Sequence, residues 1–156
     1  MMNTIDEYTD KIALNKVMGR TVTEYVDDVI TSAGEAAFWN CTSLTSVSLP
    51  KITWIRNPSV FRKCTNLTKV CMPNLERIDA SYLFSDCSNI KSISLPKLSS
   101  AATFSGNTFL NCTSLMDIYV PFALTDMSAS GAPWGATNAT VHYNTQFDED
   151  GNPILE

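Results

Sequence analysis

Charge is scarce in this chain, and the residues that usually carry chemistry are scarcer still. Only 17% of its 156 residues are charged, and His142 is its one histidine, which excludes any mechanism built on a histidine cluster. Five cysteines are present, yet no two have the C-x-x-C spacing of a zinc knuckle. No segment reaches the roughly 18 to 20 apolar residues that a membrane-spanning helix needs. The opening "MMNTIDEYTDKIALNK" is acidic where a secretory signal is basic, and it lacks an apolar run, so the expectation is a chain without an export signal. What is present is a composition with 44% hydrophobic residues, typical of a folded chain. At this length one domain can bury a core without disulfide or metal support.

The charges that exist are unevenly spread. Residues 51–97 hold eight basic residues against three acidic ones, a local charge of +5, so the rest of a chain of net charge -5 carries -10. A basic middle between acidic ends can steer an anionic partner. Its aromatics are not interleaved with the basic residues as a nucleic-acid groove requires, so nucleic acid is not expected as a partner.

A repeat organises the chain. "FWNCTSLTSVSLP" at Phe38 returns as "FRKCTNLTKVCMP" at Phe61 and "FSDCSNIKSISLP" at Phe84, and a fourth copy starts at Phe109. Phe38, Phe61, Phe84 and Phe109 are spaced 23, 23 and 25 residues apart, and Cys41, Cys64, Cys87 and Cys112 keep step with them, as do Pro50, Pro73, Pro96 and Pro121. Behind each cysteine the apolar residues fall in one order, as in Leu44, Val47, Leu49 or Leu115, Ile118, Val120. The alternation at the end of each unit predicts a short strand with one face buried. Proline, which cannot donate to a strand ladder, ends it. A second apolar pair follows, Ile52 and Ile55 in one unit and Leu75 and Ile78 in the next, before the chain crosses the back to the following phenylalanine. One such coil cannot bury both of its faces, so only stacking makes a core.

The repeat predicts three parts: an N-terminal cap over 1–28, a solenoid over 29–122 and a C-terminal cap over 123–156. In the first cap Thr4 and Glu7 form a capping box, Ile5, Tyr8 and Ile12 share a helical face, Gly19 is the stop, and "TVTEYV" follows as a degenerate strand. In the last, a Pro-Trp-Gly turn leads to a strand through Val141 and Tyr143, and "FDEDGNPILE" reads as a turn or hairpin tail.

The frame F-x-x-C-x-x-L-x-x-V-x-L-P at this period resembles the BspA-type bacterial leucine-rich repeats. That resemblance implies an α/β, right-handed leucine-rich repeat solenoid of about four 23-residue coils with a parallel sheet on its concave side. It also implies a bacterial surface protein that binds other proteins. The segment "YVPFALTDMSASGAPWGATNATVHYN" is similar to the ending of short repeat proteins encoded by phages and prophages.

Four of the cysteines are expected to form an inward column at a coil spacing of about 4.8 Å, which suits neither a disulfide nor a tetrahedral metal site. They read as small packing residues. Cys71 falls between Val70 and Met72 and points outward, an exposed thiol with no base identifiable beside it. His142 shows neither a nucleophile nor an orienting acid in its neighbourhood, so no catalytic set is assembled and no enzyme is expected. "DEDGN" at 148–152 resembles half a calcium loop, but Pro153 stands where that loop needs glycine, and a turn accounts for it better. No cofactor, metal or membrane insertion is expected.

What is left is surface. The outward residues of the concave strands, Ser46, Ser48, Lys69, Cys71, Ser92, Ser94, Asp117 and Tyr119, with Phe122 just beyond, are the expected partner-binding set. Tyr119 and Phe122 offer the largest rigid areas for an interface. The expected function is therefore a non-enzymatic protein-binding module, bacterial or phage-borne, in the cytoplasm or on a phage particle. The alternatives are a structural accessory of such a particle and a fragment of a cell-surface adhesin that has lost its signal. The sequence leaves the oligomeric state open.

Overall fold

The computed structural model describes residues 22–100 and 104–155. The helix expected between Thr4 and Gly19 lies outside them. Among the described residues the strands are β1 (Glu24–Val26), β2 (Ser46–Ser48), β3 (Trp54–Ile55), β4 (Lys69–Cys71), β5 (Arg77–Ile78), β6 (Ser92–Ser94), β7 (Asp117–Tyr119) and β8 (Thr140–His142). Their only helical segment is a 3-10 turn at Met127–Ala129, and none of their helices is long and apolar enough to cross a membrane.

The chain is a leucine-rich repeat solenoid whose strands pair in parallel from coil to coil. Ser46 of β2 sits opposite Lys69 of β4, and Ser92 of β6 opposite Asp117 of β7. The four coils that carry the full sequence frame are flanked by two degenerate ones. β1 pairs with β2, matching Tyr25 to Val47, and β8 pairs with β7, matching Val141 to Ile118. A second, narrower ladder was not expected: β3 and β5 pair in parallel, Ile55 against Ile78, just beyond the prolines. Two residues per strand are too few to show a period, although the buried isoleucines mark the place.

Burial follows the repeat, except that Val70, in the place of Val47, is only partly buried. Phe38, Phe61, Phe84 and Phe109 are fully buried, as are Leu44, Leu67, Ile90 and Leu115. The phenylalanine rings stack in a single file with centroids 5.1, 5.3 and 5.6 Å apart, an offset geometry that adds to their area burial. Tyr25 closes the file edge-on at one end, 5.1 Å from Phe38. Trp134, also fully buried, closes the other, 6.4 Å from Phe109 and stacked at 4.0 Å on Phe104. At this end the cap presses its backbone against the last coil. A Cβ on Gly135 would lie 2.5 Å from the Gly106 carbonyl oxygen, and its φ of +94° is one that side chains disfavour.

The cysteines do more than fill space. Cys64, Cys87 and Cys112 each place Sγ 3.0 Å from the carbonyl oxygen of Phe38, Phe61 and Phe84, so each thiol donates to the coil before its own. Burial pushes the Cys112 thiol up to about 12, which keeps the S–H in place as a donor.

The back of each coil is a tight turn that aims backbone N–H groups at the next coil. Phe38 donates to Val60, Phe61 to Leu83 and Phe84 to Thr108. The residue before each cysteine supplies the needed reversal in the left-handed region: Asn40, Lys63, Asp86 and Asn111 have φ between 60 and 64°. Asparagine and aspartate tolerate that conformation, whereas other side chains with a Cβ lose about 1–2 kcal/mol in it. Lys63 is the exception, and it is exposed. Lys63→Asn is therefore expected to raise the unfolding free energy by about 0.5–1 kcal/mol, checked by urea denaturation; a loss of stability would contradict this account of the turn.

Candidate functional site

The side chains that do not enter the core line up in two rows on the face made by β1, β2, β4, β6, β7 and β8, called here the strand face. Within each strand the central residue turns inward, as Val47, Ile93 and Ile118 do, all at most 3% exposed. The flanking residues therefore face out, since a strand alternates. Lys69 and Ser92 are exposed, and Ser46, Ser48, Cys71, Ser94, Asp117 and Tyr119 are half-buried. Eight of the nine expected residues thus lie on one surface. Phe122 does not: it is 4% exposed and packs edge-on to Trp134 and against Tyr143. The turn after Pro121 folds Phe122 under the cap, where burying a phenyl ring is favourable.

At one end of this face the rows hold a polar and aromatic cluster. Tyr119 and His142, register partners on β7 and β8, stack with ring centroids 4.5 Å apart. His142 Nε2 lies 2.8 Å from Asp117 Oδ1, a diagonal cross-strand pair. Histidine therefore has the orienting acid that the sequence reading did not find. The pair is 25 residues apart, one coil, and aligning Val141 with Ile118 would have revealed it. Among the described residues no serine or cysteine side chain hydrogen-bonds His142. Burial, with the Asp117 charge adding to it, raises the Tyr119 hydroxyl above its ordinary range. A hollow of about 400 Å³ opens here between Tyr119, His142, Gln146, Ile154 and Leu155.

The centre of the face is split. The strands form two three-stranded sheets, β1-β2-β4 and β6-β7-β8, and no pairing joins β4 to β6. The other two sides of the same two coils remain bonded. Ser99 N–H donates to Glu76 O on one, and Phe61 N–H donates to Leu83 O on the other. The split therefore opens a cleft of about 180 Å³ on the strand face alone, between Lys69, Val70 and Cys71 on one side and Ser92 and Ser94 on the other. Cys71, expected as an exposed thiol, is half-buried in its wall.

The chain's own end lies over this cleft. Residues 147–153 form the expected hairpin, with Phe147 bridged to Pro153 and Ile154 N–H donating to Gln146 O. Asp148 accepts from the backbone N–H and side-chain amide of Asn152 and from the Asp150 N–H, which closes the turn and holds its carboxyl below the usual range. The tip rests on two repeat prolines: a Cβ on Gly151 would meet Pro96 Cγ at 3.1 Å and Pro73 Cβ at 3.6 Å.

A second cluster lies on the β3–β5 side. The Trp54 ring has the Arg56 guanidinium 3.4 Å from its centroid and that of Arg77 at 4.6 Å, and its Nε1 donates to Asp79 at 3.0 Å. Arg77 in turn pairs with Asp79 at 2.9 Å. These groups engage one another, as do Asp86 and Asn111 on the back, where Arg62 Nε lies 3.5 Å from Asp86 Oδ2 but is buried without a hydrogen-bond partner among the described residues. There the Asn111 amide, with Ser85 and Arg62, holds the Asp86 carboxyl low.

A family model described as "BspA type Leucine rich repeat region (6 copies)" matches residues 23–130. Among curated proteins no match is found. A crystal structure of a leucine rich repeat protein of T. pallidum is similar at 19% identity and a TM-score of 0.49, over 78% of this chain and 70% of that one.

Proposed function

The chain belongs to the BspA-type leucine-rich repeat family, and on that premise we propose that it is a non-enzymatic module that binds another protein through its strand face. Repeats of this class commonly serve protein binding. The observation that carries the reading is the contrast within each strand. The inward residue is always a bulky one, Tyr25, Val47, Val70, Ile93, Ile118 or Val141, while its outward neighbours vary through glutamate, valine, serine, lysine, cysteine, aspartate, tyrosine, threonine and histidine. Packing dictates the first set and leaves the second free to encode a partner. The stacked Tyr119 and His142, braced by Asp117, supply a rigid aromatic anchor of the sort that dominates interface energetics.

Substituting Lys69, Asp117 and Tyr119 together by alanine is expected to weaken partner binding by at least tenfold, with an unchanged thermal melt, in titration calorimetry against a protein recovered by proximity labelling. Unchanged affinity would remove the strand face from the interface.

A further inference from the structure

The chain after β8 returns across the solenoid. The base of the hairpin, Gln146 and Ile154, lies beside Tyr119 and His142, while its tip reaches Pro96 and Pro73, two and three coils before β8. Asp150, Gly151 and Asn152 border the same cleft as Lys69, Cys71 and Ser94. The sequence gives this contact an electrostatic sense. Lys97 is the last lysine or arginine of the chain, so residues 98–156 carry six acidic side chains against His142 alone, three of the six in the hairpin tip at Asp148, Glu149 and Asp150. That tip lies over the basic middle of the chain, where residues 51–97 hold the excess of +5. The contact is nevertheless slight. Among the described residues no ion pair ties the hairpin to the solenoid, and the tip touches down through a glycine on two proline rings.

We propose that the cleft between β4 and β6 is a docking site for an acidic, glycine-containing turn of a partner protein, and that the chain's own C-terminal hairpin occupies it when that partner is absent. This rests on the strand-face reading above and names the chemistry of its partner. The turn that caps it now, D-E-D-G-N, defines what fits: a turn narrow enough to rest a glycine on Pro73 and Pro96, with an acidic residue, here Asp150, bordering the same cleft as Lys69. A tethered competitor acts at a high effective concentration, so a partner must outbid the hairpin, and loosening the hairpin raises the partner's apparent affinity.

The test uses the 156-residue chain and a labelled peptide, QFDEDGNPIL, as the probe. Gly151→Val puts a branched side chain at φ +81° and against Pro96, which lifts the tip. Asp148→Ala is a second variant that breaks the turn from within by deleting the acceptor of the Asp150 and Asn152 N–H groups. Cys71 reports on the cleft, because the other four cysteines are buried. In both variants Cys71 is expected to react with a thiol reagent at least tenfold faster than in the unaltered chain. The peptide is expected to bind the variants at least tenfold more tightly than the unaltered chain and to slow that reaction again. A peptide with Asn, Gln and Asn in place of its three acidic residues is expected to do neither. An unchanged thiol rate in both variants, a fast thiol without peptide binding, equal binding of the neutral peptide, or hairpin-swapped dimers that protect Cys71 would each overturn the proposal. A partner that needs Lys69, Asp117 and Tyr119 but is not displaced by the peptide would overturn it too, while leaving the strand-face reading in place.

Discussion

Phe84→Ala is expected to lower the unfolding free energy by about 3–5 kcal/mol, the range for removing a fully buried aromatic ring. It is also expected to break the cooperativity of the chain. Phe84 is 0% exposed and stacks on Phe61 at 5.3 Å and Phe109 at 5.6 Å. In a solenoid each coil contacts only its neighbours, so stability is a sum of coil and interface contributions. The interface on the N-terminal side of Phe84's coil has already lost its strand pairing, because β4 and β6 are not bonded. The phenylalanine file, the apolar core around it and the hydrogen bonds on the other two sides therefore carry the coupling between the two halves. Removing the ring should leave a urea transition resolved into two steps, with hydrogen exchange faster throughout β6 and β7. A single sharp transition with a loss under about 1 kcal/mol would mean that the ring file does not couple the coils.

Trp134→Ala removes a side chain of comparable burial and should cost about as much locally, roughly 3–5 kcal/mol, but with a different spatial signature. The indole packs on Phe104 and Phe109, meets Phe122 edge-on, and donates Nε1 to Ser130 O at 3.0 Å. Its loss opens the end of the core to water without touching the middle. Hydrogen exchange should speed up in β7 and β8 and in the back turn at Phe109, whose N–H donates to Trp134 O, while β2 and β4 keep their protection. Because Tyr119 and His142 sit on those loosened strands, partner binding should weaken as well. Uniform acceleration along the chain would instead show that the whole solenoid unfolds as one unit.

The core and the surface of the solenoid were unequally legible in the sequence. Positions that the repeat writes four times, Phe38, Cys41, Leu44 and Val47 with their copies, declare their burial because packing allows little else there. The outward residues of β2, β4, β6 and β7 follow from the same alternation. The left-handed turns were half-visible in Asn40, Asp86 and Asn111 and hidden at Lys63, where nothing in the side chain hints at its φ of 63°. The split between β4 and β6 left no mark: Lys69 and Cys71 facing Ser92 and Ser94 look no different from pairs that do bond. Nor does a hairpin announce where it will land, since Gly151 meets Pro73 and Pro96 through tertiary contact alone. Phe122 was misplaced for the converse reason. It follows a repeat proline like Lys51 and Lys97, but a large ring next to Trp134 gains more from burial than from display.

Site-specific photocrosslinking tests the central claim most directly. A photoreactive amino acid is placed at Ser92, exposed on the strand face, and in a second protein at Lys63, exposed on the back turn. The account predicts that the partner is captured from position 92 and not from position 63. Capture from position 63 with none from position 92 would contradict it.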